Sequence, residues 1–104
     1  MITVRPGYGI RPLIDGAAAG AGIQLDVVNE VTFLSTALWM TASGLGASIM
    51  PSAFARHSTH RNLVVRLLGS PRVSRDVFIV TKRGRSLSPA CARLIEVMRA
   101  GLAP

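Results

Sequence analysis

The period of the apolar residues changes several times along the chain, and each change predicts an element. The opening run "MITV" is strand-like and gives way to "RPGYGIRP", a loop with two prolines and two glycines. Pro12 suits the first position of a helix, where its missing N–H is not needed. The stretch "PLIDGAAAGAG" predicts a short helix ending near Gly22. In "IQLDVVNEV", Ile23, Leu25 and Val27 alternate with Gln24, Asp26 and Val28, the pattern of a strand with one polar face.

The next stretch, "EVTFLSTALWMTASGLGASIMPSAFAR", holds 25 uncharged residues between Glu30 and Arg56. A bilayer span needs about 20 apolar residues in one helix. Here Thr32, Ser35, Thr36, Thr41, Ser43 and Ser48 interrupt the apolar run, and two glycines break it in the middle. Thr32 is a candidate N-cap, and Leu34, Leu38 and Ala42 fall on one stripe with Phe33, Ala37 and Met40 beside it. Gly44 suits a left-handed C-terminal cap, and Gly46 frees the backbone for a reversal. "ASIMP" then predicts a short buried strand that Pro51 ends. A helix of about 12 residues, a tight turn and a strand account for this segment better than a membrane span.

Beyond Pro51, "SAFARHSTHRN" predicts a short helical turn and a polar loop, "LVVRLL" a strand, and "GSPR" a turn. "VSRDVFIVTKR" predicts a further strand, with Val73, Arg75, Val77 and Ile79 on one side and Ser74, Asp76, Phe78 and Val80 on the other. The last helix has Ser88 as N-cap, Pro89 as first residue and Gly101 as its stop. Its apolar face carries Cys91, Leu94, Ile95, Met98 and Leu102. This order of elements predicts an α/β fold, a parallel or mixed sheet with flanking helices.

Composition adds one tension to this picture. The 104 residues suffice for one domain or part of one, yet 49% are hydrophobic and only 16% are charged. Such a chain buries much of its surface against a partner or belongs to a larger fold. The single cysteine, Cys91, excludes an internal disulfide. The N-terminus lacks the basic segment and apolar run of a signal peptide, so a cytoplasmic location is expected. The net charge of +7 is unevenly placed. Arg5 and Arg11 against Asp15, Asp26 and Glu30 leave residues 1–50 at −1, whereas ten Arg or Lys against Asp76 and Glu96 bring residues 51–104 to +8. No aromatic residues interleave with these arginines as in a base-stacking platform, so a solvated or self-association face is preferred to a nucleic-acid surface.

In parallel α/β sheets, ligands bind beyond the carboxyl ends of strands, where loops lead into helices. Two such loops are legible, "RPGYGIR" with Arg5 and Arg11, and "VTF" with a hydroxyl at a helix start. Free N–H groups and the positive end of a helix favour a carboxylate or similar anion there. An ordinary turn is the competing reading for each. His57 and His60 lie in a polar loop without Cys, Asp or Glu beside them, which favours a solvated pair over a metal site. Cys91 on an apolar helix face reads as a buried, inert thiol. No nucleophile-elbow or paired-carboxylate spacing is present.

The blocks "EVTFLSTALWMTASGLGASIMPSAFA", "LVVRLL" and "RDVFIVTKRGRSLSPACARLIEVMRA" resemble the C-terminal half of the effector-binding domain of LysR-type transcriptional regulators. The resemblance covers nearly the whole chain and is most specific in the "SGLG.SIMPS" and "RGRSLSPA" blocks, in that order. It implies a partial type II periplasmic-binding-protein-like fold of two α/β lobes with a ligand cleft between them. Residues 1–50 then correspond to the second lobe and residues 51–104 to an incomplete return segment to the first. It implies a non-catalytic sensor of a small organic anion, without cofactor or metal, that associates with copies of itself. DNA would be read only through a winged helix-turn-helix, which this sequence lacks, so the chain resembles a truncated product or a fragment. The ligand-lining residues implied are Arg5, Gly7, Tyr8, Gly9, Thr32, Phe33, Pro51 and Ser52. Arg5 would pair with the anion, Tyr8 and Phe33 would bound it, and Thr32 would donate a hydrogen bond. Competing readings make Phe33 core, leave Tyr8 in solvent and use Ser52 only as a helix cap. The alternative function is a basic fragment that binds nucleic acid or another acidic partner without sequence specificity.

Overall fold

In the computed structural model, which describes residues 1–69 and 72–102, the sheet is small and sits at the N-terminal end. Strands β1 (Ile2–Val4) and β2 (Asn29–Val31) pair in parallel, with Ile2 opposite Asn29, Thr3 opposite Glu30 and Val4 opposite Val31. Parallel neighbours cannot be joined by a tight turn. The connection is helix α1 (Arg11–Gly20), so residues 2–31 form a strand–helix–strand unit. A second crossing follows. Helix α2 (Leu34–Ala42) leads from β2 to Ser48, which bridges in parallel to Ile2. β1 is therefore the middle position, flanked by β2 and by Ser48.

Both helices stop for the same physical reason. Gly22 and Gly44 take left-handed conformations, φ +66° and +84°, that a side chain would resist. Behind them, the N–H groups of Ile23 and Leu45 reach back to Ala18 and Met40, satisfying carbonyls that the helix end would orphan. The core lies under β1 and α1, where Val4, Ile10 and Ile14 are buried and Leu25, Val31, Leu34 and Ile49 pack against them.

The mid-chain apolar stretch is thus broken. α2 ends at Ala42, the chain turns through Gly44 and Gly46, and among the described residues no helix is long and apolar enough to cross a membrane. Helix α3 (Ser52–Arg56) follows Pro51 as expected. Helix α4 (Pro89–Leu102) starts as its sequence indicates, with the Cys91 N–H donating to Ser88 Oγ at 3.2 Å.

Several expectations need correction. Pro12 is the second residue of α1, not its first. Residues 23–28 are not strand, and only Asn29–Val31 pair. "ASIMP" contributes one bridge at Ser48. The runs 63–68 and 73–83 carry strand-like sequence but form no strand. A strand exists through its neighbour's hydrogen bonds, and these runs have no strand beside them among the described residues. Val64, Val77, Phe78 and Val80 are correspondingly exposed. Gly101 lies inside α4, which continues to Leu102. No residue of α4 is buried, so Cys91 is exposed rather than hidden on a packed face. The "GSPR" turn includes Ser70 and Pro71, which lie outside the described residues.

Candidate functional site

The carboxyl ends of β1 and β2 open into the two loops singled out above. The first loop is tied down at both ends. The Arg5 N–H donates to the Val31 carbonyl at 2.9 Å, and the Arg11 N–H donates to the Tyr8 carbonyl at 2.9 Å. Arg11 is not available to a ligand. Its guanidinium donates to Glu30 at 2.7 Å, to the Val4 carbonyl at 3.0 Å and to Asp15 at 3.0 Å. One side chain thereby joins β1, β2 and the first turns of α1. The hydrogen bond to Glu30, followed by that to Asp15, holds the guanidinium pKa above its ordinary value.

Helix α2 begins one residue later than expected. Phe33, not Thr32, is its N-cap, in an extended conformation (φ −116°, ψ 141°) and without a side-chain cap hydrogen bond. The displacement follows from geometry, because Thr32 directly follows the last β2 residue and is half-buried there. The first hydrogen bond of the helix runs from the Ala37 N–H to the Phe33 carbonyl. The N–H groups of Leu34 and Ser35 therefore meet no cap, and they are available to a negatively charged group.

A cavity of about 380 Å³ lies at this point. Tyr8 and Gly9 from the first loop and Thr32 and Phe33 from the second border it together, so four of the eight expected residues meet. Phe33 is 65% exposed and thus is not core. Of the six other bordering residues, Val4, Ile10, Leu34 and Ser35 lie beside these loops in the chain, whereas Phe54 on α3 and Arg75 do not. No local sequence signal marks either one, because both reach the cavity from segments distant in the chain. The Arg75 Nη1 stands 3.6 Å from the place a Cβ on Gly9 would occupy.

The remaining expected residues fall elsewhere. Pro51 and Ser52 border a neighbouring cavity of about 580 Å³, together with Arg56, Arg66, Arg72 and Arg75. Arg5 and Gly7 border neither cavity. Pro51, not Ser52, is the N-cap of α3, and no side chain caps that helix. The two histidines are not simply solvated. His57 Nδ1 lies 2.6 Å from the Ala53 carbonyl, and the His60 ring meets Trp39 edge-on at 4.4 Å between centroids. Among the described residues, no three His, Cys, Asp or Glu side chains converge on a common point.

Comparison with known proteins gives this geometry its context. The family model described as LysR substrate binding domain matches residues 1–103. The chain belongs to the LysR substrate-binding-domain family. It is 40% identical over 91 residues to the uncharacterized HTH-type transcriptional regulator YfeR of Shigella flexneri, a match covering 88% of this chain. It is 33% identical over 98 residues, 94% of this chain, to the uncharacterized HTH-type transcriptional regulator YbhD of Escherichia coli (strain K12). The matched regions span 29% and 31% of the lengths of these relatives. No solved structure matches the chain. A LysR substrate-binding domain has a periplasmic-binding-protein-like α/β fold, and the small parallel sheet with helices described above is consistent with part of one.

Proposed function

We propose that this chain is the effector-sensing module of a LysR-type transcriptional regulator and that a small organic anion binds in the 380 Å³ cavity. The observation that carries this reading is the meeting of Tyr8, Gly9, Thr32 and Phe33 at the carboxyl ends of two parallel strands. Open α/β sheets bind ligands at such ends. The wall chemistry suits the same conclusion. Apolar side chains line much of the cavity, the uncapped start of α2 borders it, and among the described residues no Asp or Glu does.

In this reading residues 1–50 form the second lobe of a type II periplasmic-binding-protein-like fold, and residues 51–104 form a return segment to the first. The parallel crossings of residues 2–48 support the lobe, and the exposed apolar run after residue 63 supports an incomplete remainder. The same exposed residues favour self-association. DNA recognition belongs to a winged helix-turn-helix, consistent with the HTH-type description of both relatives. The module acts by binding rather than catalysis, and a DNA-directed regulator works in the cytoplasm.

Thermal denaturation with a panel of small carboxylates tests the site. Stabilisation is expected with at least one of them, since a ligand selective for the native state raises stability by mass action. Thr32→Ala and Phe33→Ala should remove it. A gain that is identical in both variants counts against this cavity.

A second reading has one observation in its favour. Arg56, Arg66, Arg72 and Arg75 border the larger cavity and, among the described residues, form no ion pair. A basic fragment of this kind binds nucleic acid with an affinity that falls steeply with salt. No retention on duplex DNA at low salt excludes it.

A further inference from the structure

Three arginines compete for the charge of an anionic ligand, and their surroundings separate them. Arg11 is committed to Glu30, Asp15 and the Val4 carbonyl. Arg5 fixes the loop through its backbone N–H and borders neither cavity. Arg75 borders both cavities, has its Nη1 3.6 Å from where a Cβ on Gly9 would stand, and forms no ion pair among the described residues.

We propose that Arg75 pairs with the ligand's carboxylate in the smaller cavity, and that the ligand is a small monocarboxylate with an apolar body. The assignment rests on the effector-site reading above and adds the residue and the ligand class. A guanidinium offers two parallel N–H groups that match the two carboxylate oxygens, and such charge-assisted hydrogen bonds are about twice as strong as neutral ones. Among the described residues, Arg75 is the only Arg or Lys bordering this cavity, which suits a single negative charge rather than several. Val4, Ile10, Phe33 and Phe54 also border it and offer hydrocarbon, which a ligand without an apolar portion would leave uncovered. The volume lies near the low end of the roughly 300–1,000 Å³ usual for ligand pockets, which restricts the body to a compact group.

The test is calorimetric titration of the full chain with phenylacetate and hexanoate, each compared with its neutral amide. Unmodified protein should bind the acids at least tenfold more tightly than the amides. Arg75→Gln should abolish that preference by weakening acid binding roughly tenfold or more while amide binding stays the same. Arg75→Lys should retain part of the preference, which a purely structural role for the side chain does not predict. Arg93→Gln, on α4 and, among the described residues, paired with Glu96 alone, serves as the charge control. Four results overturn the assignment: acid preference kept in Arg75→Gln, acid preference lost in Arg5→Gln instead, no preference in the unmodified protein, or preference lost equally in Arg93→Gln. If both probes bind and Thr32→Ala weakens them while Arg75→Gln does not, the cavity stands and only the arginine is wrong. If neither probe binds the unmodified protein, this proposal fails, and the carboxylate panel above decides whether the cavity reading survives it.

Discussion

Thr3 gives the sharpest prediction about stability. It occupies the middle of β1, is 1% exposed, and its Oγ1 has no hydrogen-bond partner among the described residues. Its strand neighbours Ile2 and Val4 are buried as well, at 0% and 3% exposure. A hydroxyl removed from water without a replacement partner costs about 1–3 kcal/mol. Valine fills almost the same space, shares the β-branch that suits a strand, and carries no polar atom. Thr3→Val should therefore stabilise the chain by about 1–2 kcal/mol, the desolvation cost less a small packing adjustment. A gain of this size raises the melting temperature of a domain this small by roughly 4–8 °C for each kcal/mol. Urea denaturation followed by far-ultraviolet circular dichroism is the direct assay. The midpoint should rise with the slope unchanged, the signature of altered stability rather than an altered denatured state. Thr3→Ser, which keeps the hydroxyl and loses a methyl, should fall by about 0.8 kcal/mol. A lower midpoint for Thr3→Val refutes the reasoning, because it means that the hydroxyl has a partner whose loss outweighs desolvation.

Other expectations follow from single residues. Gly44→Ala forces a side chain into φ +84° and should destabilise by about 1–2 kcal/mol, with Gly44→Asn costing less; equal midpoints in denaturation would contradict the left-handed cap. Arg11→Gln breaks the junction of β1, β2 and α1, so amide hydrogen exchange at Val4 and Val31 should accelerate together; acceleration at neither would show that the guanidinium is dispensable. Phe78 is 77% exposed in an unpaired apolar run, so Phe78→Lys should shift the sedimentation profile toward smaller species. An unmodified chain that already sediments as a monomer would contradict the self-association reading.

How much of this was legible depends on whether the signal is local. α1, α2 and α4 could be read because their stops or starts are made by neighbouring residues, Gly22 and Gly44 at two ends and Ser88 with Pro89 at a beginning. The strands were harder. β1 and β2 form because each supplies the other's hydrogen bonds, and runs 63–68 and 73–83 have comparable apolar content but, among the described residues, no such neighbour. Thr32 has the chemistry of a cap, yet the end of β2 fixes its backbone and moves the cap to Phe33.

The site shows the same division. Tyr8, Gly9, Thr32 and Phe33 lie in loops that a parallel α/β pattern places at one end of the sheet, so the sequence brings them together in principle. The engagement of Arg11 was partly visible, since Asp15 follows it by four residues, a helical ion-pair spacing. Its contact with Glu30 was not, because that depends on the strand register. Phe54 and Arg75 join the cavity only through tertiary placement, for which no local pattern exists.

The central claim is that the two loops beyond β1 and β2 form one recognition cavity for a carboxylate. Amide chemical-shift mapping during titration with phenylacetate tests it most directly. The largest shifts are predicted at Tyr8, Gly9 and Thr32 to Ser35, with Arg75 moving in parallel and α4 silent. Shifts confined to α4 or to residues 61–68, with those loops unmoved, would contradict it.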